Sequence, residues 1–231
     1  MAQQLQLNIR EQLAYGPDNF FIHAGYKSIC DSVLSLVTQA GFGIAYIYGT
    51  RRSGKTHFSI YLMNQYGKAG LFPRLVDGQR FEDFLKQLEV GSQKLPDVFV
   101  IDDIDQYLRE IEPGASGSFV NFIEKLRLAQ RKVVLLSGRR LSDLPCDDHV
   151  LSRILAGFCF EIEHPAEADM PQVVGAMARQ RGIKLSEKKL NFLCKRLPRQ
   201  TEAIEAYLDR VHHLSRLLGK KVQFPVLNDA L

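Results

Sequence analysis

Two short runs of residues could do chemistry together. The first is Gly49-Thr50-Arg51-Arg52-Ser53-Gly54-Lys55-Thr56-His57. A loop with glycine at Gly49 and Gly54 can turn its backbone N–H groups inward on phosphate oxygens, where a side chain would block the approach. Lys55 would set its ammonium against the β- and γ-phosphates of a nucleotide, and the Thr56 hydroxyl would take a coordination position on Mg²⁺. The second run is Asp102-Asp103, which stops the apolar Val98-Phe99-Val100-Ile101. At the carboxyl end of a parallel strand one such acid can hold the Mg²⁺ shell and the other can polarise an attacking water. The same pair would also serve as a helix N-cap. Ser137 ends the next apolar run, and would sit near the γ-phosphate if the two strands are neighbours. Arg153 stands in the helix-like Leu151-Ser152-Arg153-Ile154-Leu155, and Arg199 stands where a helix should begin, in Leu197-Pro198-Arg199-Gln200-Thr201. Pattern alone raises neither arginine above a surface residue.

These residues need a scaffold that brings strand ends together. Residues 44–48, 71–76, 98–101, 133–136 and 158–162 are short, largely apolar and without polar alternation. Between them, 57–66, 81–88 and 119–130 carry apolar residues at helical spacing. Strands of this kind, separated by helices, predict a five-stranded parallel sheet covered on both faces. The glycine-rich loop then falls between a buried strand and a helix, as its mechanism requires. After about residue 165 the pattern turns helical, from 170 to 218, with one further strand expected at 222–224. The chain therefore reads as an α/β body followed by a small helical lid.

At 231 residues the chain can bury such a core. Its net charge of +4 is unevenly spread: residues 171–221 hold 12 Lys/Arg against 4 Asp/Glu, leaving the remainder net acidic. That basic quarter reads as a solvated helical face or as a surface for phosphate or an acidic partner. No apolar run reaches the ~20 residues needed to span a bilayer, and the N-terminus lacks the plan of a secretion signal. Cys30, Cys146, Cys159 and Cys194 are scattered and read as reduced thiols. The expected location is cytoplasmic.

Together the landmarks resemble the AAA+ ATPases, and within them the DnaA/Hda family of bacterial replication initiators and their regulators, from about residue 10 to the C-terminus. The loop through His57 is similar to the family's Walker A motif, and Val98-Phe99-Val100-Ile101-Asp102-Asp103-Ile104 to its Walker B. Leu135-Leu136-Ser137-Gly138-Arg139 resembles the sensor 1 strand. By the same resemblance Arg153 would reach the nucleotide of a neighbouring subunit, and Arg199 would be the lid's sensor 2 arginine. Arg51 and Arg52 are departures from the family pattern. The chain ends before the initiators' C-terminal DNA-reading domain could begin, and the stretch before Walker B leaves little room for their insertion that engages single-stranded DNA. The resemblance is therefore closest to the short regulators that provoke ATP hydrolysis by the DnaA initiator. Such regulators begin with a peptide that docks in the sliding clamp, and Gln4-Leu5-Gln6-Leu7-Asn8-Ile9 stands in that place, with Gln4, Leu5 and Leu7 as its contacts.

The resemblance implies a tail at 1–10, a nucleotide-binding α/β domain at 11–165 and a lid at 166–231. It implies ATP or ADP with Mg²⁺ as cofactors, slow ATPase activity of its own at most, and the initiator and the clamp as partners. Arg153 would act on the initiator's nucleotide or, in a homo-oligomer, on that of another copy. The rival readings are a DnaA-like paralogue that binds DNA through its basic lid and a small-molecule P-loop kinase, which would tolerate loss of Arg153.

Overall fold

The computed structural model of the chain describes residues 20–90, 94–111, 114, 116–219 and 221–231. In order the elements are α1 (Ala24–Leu36), β1 (Gly43–Tyr48), α2 (Lys55–Lys68), β2 (Pro73–Asp77), α3 (Phe81–Val90), β3 (Val98–Asp102), α4 (Ile104–Glu110), α5 (Gly117–Leu128), β4 (Lys132–Ser137), α6 (Asp148–Leu155) and β5 (Phe158–Glu161). The helices α7 (Met170–Gln180), α8 (Glu187–Cys194), α9 (Thr201–Leu217) and α10 (Phe224–Asp229) follow.

The five strands form one parallel sheet in the order β2-β3-β4-β1-β5. Successive side chains of a strand point to opposite faces, and in the inner strands β1, β3 and β4 both sets are buried, which is why those strands are apolar without alternation; the edge strands β2 and β5 are largely exposed. Ile44 and Tyr46 of β1, Phe99 and Ile101 of β3, and Val133 and Leu135 of β4 join one cluster with α3, α4, α5 and α6. Ala45 and Ile47, Val98 and Val100, and Val134 and Leu136 join a second with α1 and α2. A third apolar cluster packs α7, α8, α9 and α10 against one another, with Phe21 against it.

The crossovers place the chemistry. From β1 the chain passes through α2 to the far edge of the sheet and returns through β3 to β4, which pairs with β1 in a register setting Tyr48 beside Ser137. The glycine-rich loop after β1 and the aspartates after β3 thus open on the same end of the sheet.

Two helices, α1 and α4, are additional to those expected from sequence. The strand expected at 222–224 is absent: Phe224 opens α10, with Pro225 in its first turn, where proline's fixed φ and missing N–H favour a helix start. Val226, Leu227 and Ala230 turn into the lid cluster at helical spacing. The four cysteines are free thiols.

Candidate functional site: a phosphate-loop cleft under the helical lid

Gly54 precedes α2 at the N-cap position with φ 98°, and a Cβ there would lie 3.2 Å from the hydroxyl of Tyr26. That hydroxyl, buried, donates to the Ser53 carbonyl at 2.9 Å, so α1 braces the loop from behind. At Gly49 a Cβ would meet the Ser53 hydroxyl at 2.7 Å and the Ile162 side chain at 2.9 Å. The glycine positions are therefore demanded by packing and backbone conformation alike. Lys55 lies along the floor of the loop and donates to the carbonyls of Gly49 (3.1 Å) and Thr50 (3.0 Å). Burial lowers the pKa of its ammonium, while Asp103, Asp102 and Asp105 pull the other way.

Asp102 ends β3. Burial and the neighbouring Asp103 push its carboxyl up to about 6, against the Thr56 hydroxyl and the Lys55 ammonium. Its Oδ1 is buried without a hydrogen-bond partner. A buried carboxylate oxygen with nothing to accept from, beside a threonine hydroxyl, is a donor set that fits a hard divalent cation. Asp103 takes a left-handed backbone (φ 52°, ψ 40°) at the N-cap position of α4 without a side-chain capping bond; burial raises its pKa too, against the Lys55 ammonium. Among the described residues three non-glycines have positive φ, namely Arg52, Asp103 and Gln130. Two of them line this cleft, where strained backbone commonly accompanies function.

The cleft has a volume of about 690 Å³. Its floor is the loop from Arg51 to His57 with Asp103, and one wall is the lid, through Val173, Met177, Gln180, Arg181, Thr201 and Glu205. The lid is tied to the loop directly. Arg52 pairs with Glu205 at 2.5 Å, and the Thr201 hydroxyl donates to the Arg52 carbonyl at 2.8 Å. Glu205 also receives Arg181 at 3.1 Å, and Arg181 pairs onward with Asp209 at 2.7 Å. At the apolar end Phe20 stacks on His57, with ring centroids 6.3 Å apart.

Of the residues singled out by sequence, Arg51, Arg52, Ser53, Gly54, Lys55, Thr56, His57 and Asp103 line the cleft, with Gly49 and Thr50 under the Lys55 ammonium and Asp102 behind Thr56. Three others among the described residues lie elsewhere. Ser137 is buried, and its hydroxyl is engaged with the backbone N–H and carbonyl of Arg139. Arg199 is exposed before the start of α9 and does not line the cleft. Arg153, on α6, pairs with Glu124 at 3.0 Å and donates to the His149 carbonyl at 2.9 Å, away from the cleft. Gln4, Leu5 and Leu7 lie outside the described residues.

Sequence reasoning passed over Asp105, whose Oδ1 accepts from the Gly138 N–H at 2.8 Å and ties the β3 end to the β4 end. It passed over Arg181, Thr201 and Glu205 as well. A signal for the last existed: Glu205 and Asp209 lie one turn apart on α9, spaced to share a cation.

No family model matches the chain. It is 25% identical over 221 residues to the chromosomal replication initiator protein DnaA of Nautilia profundicola, covering 90% of this chain and 48% of that one. With DnaA of Aliarcobacter butzleri it is 26% identical over 229 residues, covering 94% and 52%. The chain thus spans about half the length of these curated relatives. Among solved structures, domain III of the Thermotoga maritima replication initiation protein DnaA superposes with a TM-score of 0.75 at 20% identity, covering 94% of this chain and 95% of that domain. AMPPCP-bound DnaA from Aquifex aeolicus gives a TM-score of 0.68 at 20% identity, covering 89% and 67%. In sequence the chain is similar to about half of DnaA, and in fold it is similar to DnaA domain III.

Proposed function

We propose that the chain binds ADP or ATP with Mg²⁺ in this cleft and regulates the initiation of bacterial DNA replication. It does so in the cytoplasm, by stimulating ATP hydrolysis on a DnaA-type initiator while tethered to the sliding clamp through Gln4, Leu5 and Leu7. The observation that carries the nucleotide reading is the partnerless, buried Asp102 Oδ1 beside the Thr56 hydroxyl and the Lys55 ammonium. Lys55 would hold the β- and γ-phosphates, Thr56 and Asp102 the Mg²⁺, and Asp103 an attacking water. Mg²⁺ supplies neutralising charge at the phosphates. The aromatic end at Phe20 and His57 is the place for the base. Own turnover is expected to be slow, and Arg153 is assigned to a partner's nucleotide. We read 1–10 as the tail, 11–165 as the nucleotide-binding unit and 166–231 as the lid; the separate apolar cluster of α7 to α10 supports that division.

Calorimetry with ADP and ATP tests the cleft: the wild type should bind, and Lys55→Ala should not. The regulatory part is tested by the initiator's hydrolysis rate with and without the chain, and with and without its first nine residues. An initiator indifferent to the chain would remove that part.

A second reading, a DNA-binding paralogue, is favoured by one surface. Arg196 lies 3.9 Å over the Phe192 ring, which meets Phe224 edge-on at 5.4 Å, in the basic lid. Salt-sensitive binding of a DNA oligonucleotide without the clamp, lost in Arg196→Ala, would favour it.

A further inference from the structure

The contact between loop and lid has an unusual composition. Arg52 belongs to the phosphate loop, yet its guanidinium pairs with Glu205, a carboxylate of the opposite wall, and both line the cleft. On its other side Glu205 is held by Arg181, whose side chain is 4% exposed and is committed further to Asp209 and to the Met177 carbonyl. Charges therefore alternate from the loop into the lid: Arg52, Glu205, Arg181, Asp209. Arg181 is fixed on three sides, whereas Arg52 is 34% exposed at the cleft. Resting on the nucleotide reading, we propose that Glu205 is an internal anion of the nucleotide site, holding Arg52 until a nucleotide phosphate takes its place.

Three features make the exchange favourable. Partly exposed ion pairs hold weakly because solvent screens them. A guanidinium matches phosphate with two parallel hydrogen bonds and meets a larger charge there than on a carboxylate. Finally, departure of Arg52 does not orphan a buried charge, since Glu205 keeps Arg181. The Thr201 hydroxyl still holds the Arg52 carbonyl, so the lid is loosened without being detached. Glu205 is thereby an affinity-determining residue, and lid loosening is coupled to nucleotide binding.

Calorimetry with ADP on the wild type, Glu205→Gln, Arg52→Gly and the double variant tests this. Glycine at position 52 suits φ 61° and should leave the loop folded. Glu205→Gln should tighten ADP binding about three- to tenfold by freeing Arg52. In the Arg52→Gly background the same change should alter affinity by less than about twofold. Equal tightening in both backgrounds would reduce Glu205 to a repelling charge and overturn the exchange. Unchanged or weaker binding by Glu205→Gln would overturn it too. Should the amide disturb Arg181, Glu205→Asp keeps a charge for Arg181 while withdrawing from Arg52, and the same tightening is expected. A wild type that binds no ADP would remove the nucleotide reading and this inference together, an outcome distinct from ADP binding that is indifferent to residue 205.

Discussion

Asp102 closes a strand whose other residues are wholly apolar, and its carboxylate bears the consequences of that position. Burial raises its pKa to about 6, above the ordinary 3.8, so ionising it costs the fold free energy. The sign follows from linkage: the folded state holds the proton more tightly than the unfolded chain does. The contribution to stability is therefore present below pH 4 and is lost as pH rises through about 6. Asp102→Asn, neutral at every pH, should stabilise the protein in EDTA at pH 8 by ~1–3 kcal/mol, and by much less at pH 4. Thermal melts across that range check it; a gain independent of pH would mean that the carboxylate is not strained. The same variant should lose Mg²⁺-dependent tightening of nucleotide binding, because the position that costs stability is the one proposed to hold the cation. The loop between β1 and α2 and the aspartate pair at the end of β3 were legible as structural positions in the sequence because local backbone chemistry dictates them. Arg199 and Ser137 show where legibility stops. Their order along the chain was suggestive, but the direction of a side chain at a strand end or a helix start is set by packing. Ser137 turned into its own loop instead of the cleft.

The inner strands β1, β3 and β4 read well because strands buried on both faces demand a nearly unbroken apolar run, and few other structures do. The lid strand was misread for the converse reason: three residues cannot choose between periods of 2 and 3.6, and Pro225 decided for a helix. The helix α1 was present in the spacing of Tyr26, Ile29, Cys30, Val33 and Leu36, all buried, but α4 was hidden behind the aspartate pair that precedes it. That junction is also where elements press hardest. Gly78, in the turn after β2, lies so close to the β3–α4 turn that a Cβ would stand 2.1 Å from the Asp103 carbonyl oxygen. Gly78→Ala should therefore displace Asp103, lowering stability by about 2 kcal/mol or more and weakening nucleotide binding with it. Gly67, near the end of α2, meets nothing within 4 Å and has no positive φ. Gly67→Ala should raise stability by ~0.5–1 kcal/mol and leave binding unchanged. Urea unfolding of the two variants sets them apart. Similar effects at both positions would show that the β2 turn does not support the site.

At the scale of the molecule, the acidic body and basic lid enclose the cleft, yet Arg153 faces elsewhere. It lies on α6, 23% exposed, paired with Glu124 of α5. An arginine serving the chain's own nucleotide would have to line the cleft, and it does not. The assignment to a partner's site thus makes a sharp demand. An arginine brought to a γ-phosphate from outside can contribute about 10³–10⁵ in rate, so its removal should abolish stimulation of the initiator's ATP hydrolysis. The chain's own affinity for ADP should stay within about twofold of wild type, since the two positions share no contact. Nor should the fold suffer, because a partly exposed pair of this kind contributes at most ~1 kcal/mol. Arg153→Ala is then a clean test in a mixed assay. Glu124→Gln serves as its control: it loosens the guanidinium but retains it, and should still stimulate. If Arg153→Ala stimulates as well as the wild type does, Arg153 is a surface residue held by Glu124. What is left is a DnaA-like fold with its proposed nucleotide cleft.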